Sequence, residues 1–443
     1  MKTMKRITAL LLLLCMVLPL PTLAAPASAQ PVDELQAAQQ LAAVLRQGGT
    51  EITVRVSAAF DYKLCLEYSR MLYPDYYGMA WSWNPHAQTA VLRAEMAEPE
   101  KHNQAWNEAK RVAASMQGRG LSETELLRAF HDYLIENCTY DFDTYRNMSI
   151  AGPEPFSAYG ALLGGKGVCD SYSAAFAMLC AAADIPCIYV GSDELNHSWN
   201  AVFSGGRVYF IDVTYDDADN PAIGIRYDHF MKTREEFLAS HSGWKPGTCD
   251  RLTSVIWPEN YGAARILYRL GLFKGSDKGF ELSRQPRRDE AAVMLTRFLG
   301  LEEEALAAQG TALPFDDVST FYRPYIALLY ERGLTTGTSA EGRTYTPGSA
   351  VTAQQYMTFM LRGLGYSDAD GDFVWSAALE KAVELGILSA NEMAYVKGHA
   401  FDRGMMAYLS VKTLSARTAS GKPLYEELAD KGVFSRALAA EVL

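Results

Sequence analysis

Apolar side chains recur three and four residues apart through "LSETELLRAFHDYLIENCTYD", where Leu126, Leu127, Phe130, Tyr133 and Leu134 fall on one face of a predicted helix. Ser122, three residues ahead of Glu125, supplies a capping box at its start. Upstream, "TEITVRV" alternates as a strand does, "YKLCLEYSRMLY" has helical spacing, and "QTAVLRAEM" alternates again. Residues 50–100 therefore read as a small α/β segment, preceded by a leader and a short helix over residues 30–48. Downstream, "SAYGALLGGKGVCDSYSAAFAMLCAAADIPCIYVG" predicts a short helix, a glycine turn, a longer helix and a strand. "HSWNAVF" and "RVYFIDVTYD" then alternate on either side of "SGG", a hairpin signal.

The texture changes near residue 250. Three segments repeat a loose order of helix, "GL" or "GI", loop and helix: "ARILYRLGLFKGSDKGFELSRQPRRDEAAVMLTRFLG", "FDDVSTFYRPYIALLYERGLTTGTSAEGRTYTPGSAVTAQQYMTFMLRGLG" and "WSAALEKAVELGILSANEMAYVKGHAFDRGMMAYLSVKTL". A period of roughly 50 residues marks an internal repeat, and three copies suffice for stacked units to bury a shared core. "LEEEALAAQGTAL" and "SDADGD" read as linkers between copies, and Asp216, Asp217 and Asp219 as a solvated turn.

The first 29 residues follow another logic. Lys2, Lys5 and Arg6 precede an apolar run over residues 7–20, and Ala27-Ser28-Ala29 offers a small-x-small cleavage site. This pattern predicts a secretory signal peptide, set apart from the fold. The whole chain carries a formal charge of −11, and without the three cations of the signal it stands near −14. That balance argues against nucleic acid and anionic membrane surfaces as partners. After residue 29, no apolar stretch approaches a membrane-spanning length. Six cysteines remain beyond the signal: Cys65, Cys138, Cys169, Cys180, Cys187 and Cys249. They are too sparse for a disulfide scaffold, and with no CxxC pair and scattered histidines no zinc site is expected. His131 and His229 read as surface or interface residues.

Cys169 is placed where a helix opens. A thiol there is acidified by the helix dipole, which favours the nucleophilic thiolate. Gly164, Gly165 and Gly167 keep the backbone around it open and leave the Cys169 N–H as an oxyanion donor. A nucleophile needs a base, and the base an orienter. His197 begins the first hairpin strand and Asp212 lies on the second. With a Ser204-Gly205 loop the two pair directly; with a Gly205-Gly206 loop Trp199 faces Asp212 and His197 is the diagonal neighbour. Both registers put His197 and Asp212 on one face, whereas a simple three-residue loop would separate them.

"GVCDSYSAAFAMLC", "HSWNAVF" and "VYFIDVTYDD" together resemble the bacterial transglutaminase-like family, whose papain-like core carries a Cys-His-Asp triad in this order. Spacings of 28 and 15 residues fit that family, and the likeness covers roughly residues 110–230. By position the resemblance makes Cys169 the nucleophile, His197 the general base and acid, and Asp212 the orienter. Trp199 and Asn200 become supporting wall, Tyr140 a candidate second oxyanion donor, and Tyr215 stands where the family often has Trp. The repeats resemble S-layer homology modules, which attach secreted proteins to cell-wall polysaccharide. "FDDV" at Phe315 and "RRDE" at residues 287–290 carry that likeness. It implies that Arg288 and Arg403 supply the cation for an acidic sugar, while Ala353 takes that place in the second repeat.

The expected architecture is α+β: a papain-like transglutaminase core plus an all-α domain of three S-layer homology modules. Its parts are a signal peptide at 1–29, an N-terminal α/β segment at 30–109 and the catalytic domain at 110–250. Repeats follow at 251–300, 313–366 and a degenerate 372–415, with a tail at 416–443. The expected function is acyl transfer on peptide or glutamine-like amides by a secreted, wall-attached cysteine enzyme, a transglutaminase or a protease/amidase. No metal or organic cofactor is needed; the partners are a surface protein or peptide substrate and wall secondary polysaccharide. The rival expectation is a non-catalytic surface adhesin or wall-organising protein that keeps the fold for binding.

Overall fold

The alternating run at the start of the α/β segment becomes strand β1 (Glu51–Arg55). In this computed structural model, residues 30–75, 78–95, 98–147, 152–218, 222–276, 279–307, 312–338 and 343–443 are described. The signal peptide expected at 1–29 lies outside them, as does Asp219. Helix α1 (Glu34–Arg46) is capped by Asp33, whose carboxylate accepts the Gln36 N–H at 2.8 Å, and it buries Ala37, Ala38, Leu41, Ala42 and Leu45. Helix α2 (Tyr62–Leu72) follows. Strands β2 (Gly78–Asn84) and β3 (Thr89–Glu95) complete an antiparallel sheet ordered β1-β3-β2, with Leu92 opposite both Ile52 and Trp81.

Helices α3 (Pro99–Gln117) and α4 (Glu123–Asn137) lead to a two-residue strand, β4 (Thr139–Tyr140). After the short helix α5 (Phe142–Arg146), β5 (Lys166–Gly167) lies parallel to β4, with Tyr140 opposite Gly167. Helix α6 (Cys169–Ala182) follows at once and is buried from Ser171 to Cys180. A helix apolar or small on every side is one enclosed by its neighbours, so the absence of a polar face is itself the signal of a central helix. Strands β6 (Cys187–Ser192), β7 (His197–Ser204) and β8 (Arg207–Ile211) form the next sheet in that order, and the one-turn helix α7 (Val213–Asp216) ends the run. Strand β7 stops at Ser204 and β8 starts at Arg207, so the loop is Gly205-Gly206. Their φ values of 55° and 81° lie in the left-handed region that a tight hairpin turn demands. Of the two registers open to the sequence, the structure takes the second.

The chain divides into two compact units. One comprises residues 1–115, 130–200 and 212–230, the other residues 116–129, 201–211 and 231–443. This division departs from the boundary expected at residue 250. Within the second unit the hairpin turn meets the helices: a Cβ on Gly262 would stand 3.3 Å from the Gly206 Cα, and the Phe203 ring meets Tyr261 edge-on at 4.9 Å. The first unit mixes helices with small sheets, an α+β arrangement.

The second unit continues in helices: α8 (Arg234–Ser240), α9 (Gly247–Ile256), α10 (Tyr261–Arg269), α11 (Arg288–Phe298), α12 (Glu302–Ala307), α13 (Arg323–Glu331), α14 (Ala353–Gly363), α15 (Ala378–Glu384), α16 (Ala390–Gly398), α17 (Arg403–Leu414), α18 (Leu424–Asp430) and α19 (Arg436–Val442). One hydrophobic core runs from Ala264 to Ala439. The segment read as a tail belongs to it, through Leu424, Leu428, Phe434 and Ala439. "LEEEALAAQGTAL" is no open linker either, since its first half forms α12 with Ala305 fully buried and Glu302 bonded to Arg297 and Lys274. The helix starts are supported from elsewhere in the array: the Arg288 N–H donates to Ser349 O at 2.9 Å, and the Arg403 N–H to Arg284 O at 3.0 Å. "FDDV" is structural in the same sense, with Phe315 in the core and the Asp317 carboxylate accepting the N–H groups of Tyr345 and Thr346.

Candidate active site

Cys169 is the first residue of α6, behind Val168, which is extended and offers no side-chain cap. An uncapped helix start presents partial positive charge to the sulfur. Cys169 is 8% exposed. The glycine before it serves packing: a Cβ on Gly167 would fall 2.4 Å from the Ser171 Cβ, so only glycine lets α6 start this close to β5.

His197 opens β7 and Asp212 caps α7. The fully buried Asp212 carboxylate is committed on both oxygens, Oδ1 to the Tyr215 N–H at 3.0 Å and Oδ2 to His197 Nε2 at 2.7 Å. A carboxylate accepts only, so Nε2 is the donor and Nδ1 is left for Cys169, whose side chain hydrogen-bonds the same ring. Burial opposes a charge on His197, but the Asp212 carboxylate and the Cys169 sulfur outweigh it and raise the imidazole to about 10. The structure thus brings the three expected residues into one line of contacts. Burial, the largest cause at both, pushes the Cys65 thiol up to about 12 and raises that of Cys249. None of the six cysteines after residue 29 is in a disulfide.

Trp199 is fully buried, its ring 5.7 Å from that of His197. Buried Asn200 donates from Nδ2 to Ser173 O at 3.0 Å and to Ile188 O at 3.4 Å, fastening the strand of His197 to the helix of Cys169. Tyr140 is pinned beside the Cys169 turn, because the next residue's N–H donates to Gly167 O at 3.0 Å. Burial, and next the neighbouring Cys169 sulfur, raise its phenol, which stays protonated. Tyr215 stacks on His197 at 4.2 Å and 16°, and the residue is 39% exposed.

Several residues of this neighbourhood escaped the sequence reading. Asp170, beside Cys169, accepts from Tyr189 OH at 2.5 Å and from Arg70 at 3.1 Å, the latter contributed by α2 one hundred positions away. His131 and Asp216 are fully buried and joined, Nε2 to Oδ2, at 3.3 Å, and His229 is partly buried against the same carboxylate at 3.1 Å. This corrects the surface histidines and the solvated turn: the acids at 216 and 217 face inward, and Asp217 accepts from Tyr172 OH at 2.8 Å. No local pattern marks these pairs; a histidine on the polar edge of α4 was the sole available clue.

Arg288 and Arg403, the expected wall-binding cations, are enclosed. Arg288 lies over the rings of Tyr345 and Phe359, 4.7 and 5.6 Å from their centroids, and Arg403 lies over Phe273 at 5.1 Å while donating to Phe280 O at 2.9 Å. Arg287, the preceding residue, is the more exposed cation, paired with Asp289 and donating to Tyr322 OH at 2.9 Å.

Two family models match the chain: "Transglutaminase-like superfamily" over residues 110–213, and "S-layer homology domain" over residues 314–356. The chain therefore carries a transglutaminase-like domain followed by an S-layer homology domain, an arrangement that marks a protein of the cell surface. A "Cell surface protein" of Thermoanaerobacter kivui is 28% identical over 184 residues, 39% of this chain and 23% of that protein. An "Endoglucanase" of Bacillus sp. (strain KSM-635) is 30% identical over 115 residues, 24% of this chain and 12% of that protein. The chain thus spans less than a quarter of the length of either relative. A solved structure described as "Crystal structure of a TGase" overlaps 37% of this chain and 50% of its own at 14% identity, with a TM-score of 0.22. Among the described residues no helix is long and apolar enough to cross a membrane.

Proposed function

We propose that this chain, with its transglutaminase-like domain ahead of an S-layer homology domain, is a cell-surface cysteine acyl-transfer enzyme. Cys169 is the nucleophile, His197 the general base and acid, and Asp212 the orienter. The Cys169 thiolate adds to the carbonyl of a peptide or glutamine-like amide, and His197 gives its proton to the departing nitrogen as the C–N bond breaks. The resulting thioester is opened by water or an amine, whose proton returns to His197 as the Cys169 sulfur leaves. The Cys169 N–H and the neutral Tyr140 phenol are the donors proposed for the oxyanion. Trp199 and Asn200 hold the strand of His197 in place. The observation that carries this reading is the line of contacts from Cys169 through His197 to Asp212, with 2.7 Å between Nε2 and Oδ2. Iodoacetamide labelling tests it: Cys169 is expected to react far faster than Cys65 or Cys249 and to slow when His197 is changed to Ala. Equal rates at all accessible thiols would sink the enzyme.

For attachment we propose three S-layer homology repeats, at residues 251–300, 313–366 and 372–415, acting on an acidic wall polysaccharide with Arg288 and Arg403 as cations. Co-sedimentation of the full chain with purified cell wall tests this, and a chain that stays in the supernatant overturns it. The 8% exposure of Cys169 favours a second reading, a surface adhesin that keeps the fold for binding alone. Incorporation of a labelled amine into a protein acceptor would exclude it.

A further inference from the structure

Behind the candidate orienter runs a second line of acids and imidazoles, wholly within the first compact unit. His131 of α4 is fully buried, with Nδ1 3.0 Å from Asp132 Oδ1 and Nε2 3.3 Å from Asp216 Oδ2. A carboxylate only accepts, so both contacts hold together only when both ring nitrogens carry hydrogen, that is, in the imidazolium form. The Tyr227 hydroxyl donates to Asp132 Oδ2 at 3.0 Å, its ring stacks on His131 at 5.4 Å, and Phe230 meets that ring edge-on at 5.4 Å. The charges facing His131 are therefore Asp132 from its own helix and Asp216 from α7, with Tyr227 the titratable group of the following loop. Burial opposes the charge on His131, but the two carboxylates outweigh it and its pKa lies above the ordinary value. Asp216 is correspondingly low: burial opposes its charge, while bonds from His131 and His229 favour it.

From Asp216 the line reaches the candidate site. The Asp216 carboxylate accepts the His229 N–H at 3.0 and 3.1 Å and meets His229 Nδ1 at 3.1 Å. The His229 carbonyl in turn accepts the N–H of Asp212 at 3.0 Å. One residue thus grips both ends of the segment 212–216, and it does so through a carboxylate that His131 holds from the other side.

We infer that protonated His131 is a positioning residue for Asp212, acting through Asp216 and His229. The inference rests on the proposed Cys169-His197-Asp212 reading. When His131 loses its proton, one ring nitrogen turns a lone pair toward a carboxylate and one of its two contacts breaks. The segment 212–216 then loses a support, the Asp212 carboxylate shifts, and His197 is held less well against Cys169.

The experiment is the rate of Cys169 alkylation by iodoacetamide in the full chain, as a ratio of variant to wild type from pH 6 to pH 9. Asp132→Asn keeps the shape and an acceptor for Nδ1–H but removes one of the two carboxylate charges that face His131, which lowers the His131 pKa. Its ratio is expected within about twofold of unity at pH 6 and to fall roughly threefold or more by pH 9, a misplacement effect that tracks the His131 proton. His131→Asn is expected to slow alkylation roughly 10- to 100-fold at both ends of the range. A merely structural role would lower the Asp132→Asn rate equally at every pH, and that flat ratio, or a ratio near unity throughout, overturns the inference. Where His131→Asn does not fold, Asp132→Asn alone decides. If wild-type Cys169 reacts no faster than Cys65 and Cys249, the proposed site falls and this inference with it. Selective alkylation that ignores Asp132 and His131 overturns this inference alone.

Discussion

Cys169 and the two arginines Arg288 and Arg403 occupy the same place in their elements, the first residue of a helix, and carry opposite charge logic. Cys169 opens α6, Arg288 opens α11 and Arg403 opens α17. The partial positive charge of a helix start favours a thiolate and opposes a guanidinium. At α6 the surroundings add to the effect: Val168 leaves the start uncapped, and His197 stands against the sulfur. At α11 and α17 they counter it. Aromatic faces lie beneath both guanidinium groups, and carbonyl oxygens accept from them, Phe280 O from Arg403 at 2.9 Å. Burial still lowers the Arg403 pKa. A motif residue at a helix start is thus either exploited or neutralised by what packs on it.

The contrast breaks most completely at Cys169. Cys169→Ala is expected to abolish thioester chemistry and every trace of fast alkylation, checked by mass spectrometry after iodoacetamide. Asp212→Asn comes next. It keeps size and the α7 cap but leaves His197 Nε2 facing a neutral amide, and turnover in a labelled-amine assay should fall roughly 10²- to 10⁴-fold.

Phe176→Ala tests the scaffold beneath the thiol. Fully buried in α6, its ring should cost about 3–5 kcal/mol on removal, read from denaturant midpoints. The pH dependence of stability sharpens the charge logic. The folded-state pKa of His197, about 10, lies above its ordinary 6.5. The stability it contributes is therefore fully present below about pH 6.5 and lost as pH rises through about 10. Melting temperature should decline across that window, and His197→Ala should remove that part of the decline.

The arginines give the smallest effects. Arg288→Met should keep much of the packing over Tyr345 and cost about 1–3 kcal/mol, whereas Arg287→Ala, at the exposed surface, should stay within about 0.5 kcal/mol. Wall co-sedimentation of both variants separates binding from folding.

The candidate triad was legible because its members lie close along the chain: a helix start, a strand start and the strand's return, 28 and 15 residues apart. Hairpin periodicity alone placed His197 and Asp212 on one face. The choice between two loops was not legible, since Ser204-Gly205 and Gly205-Gly206 satisfy the same alternation. Asp216 was misread because a run of acids looks solvated until its partner is known, and that partner, His131, stands 85 positions away. The same holds for Arg70 against Asp170, and for the residues after 416, whose apolar positions acquire meaning only against the core they join.

What the sequence determined by itself is local: the periods of helix and strand, the capping of α4 by Ser122 and Glu125, and the order of Cys169, His197 and Asp212. These depend on neighbours along the chain, where steric and hydrogen-bonding preferences act without help. Tertiary structure alone decided which charges are buried and paired, because desolvation is set by whatever else the fold brings within a few ångströms. It buried the acid at 216 beside the His131 ring, and it laid Arg288 and Arg403 over aromatic rings.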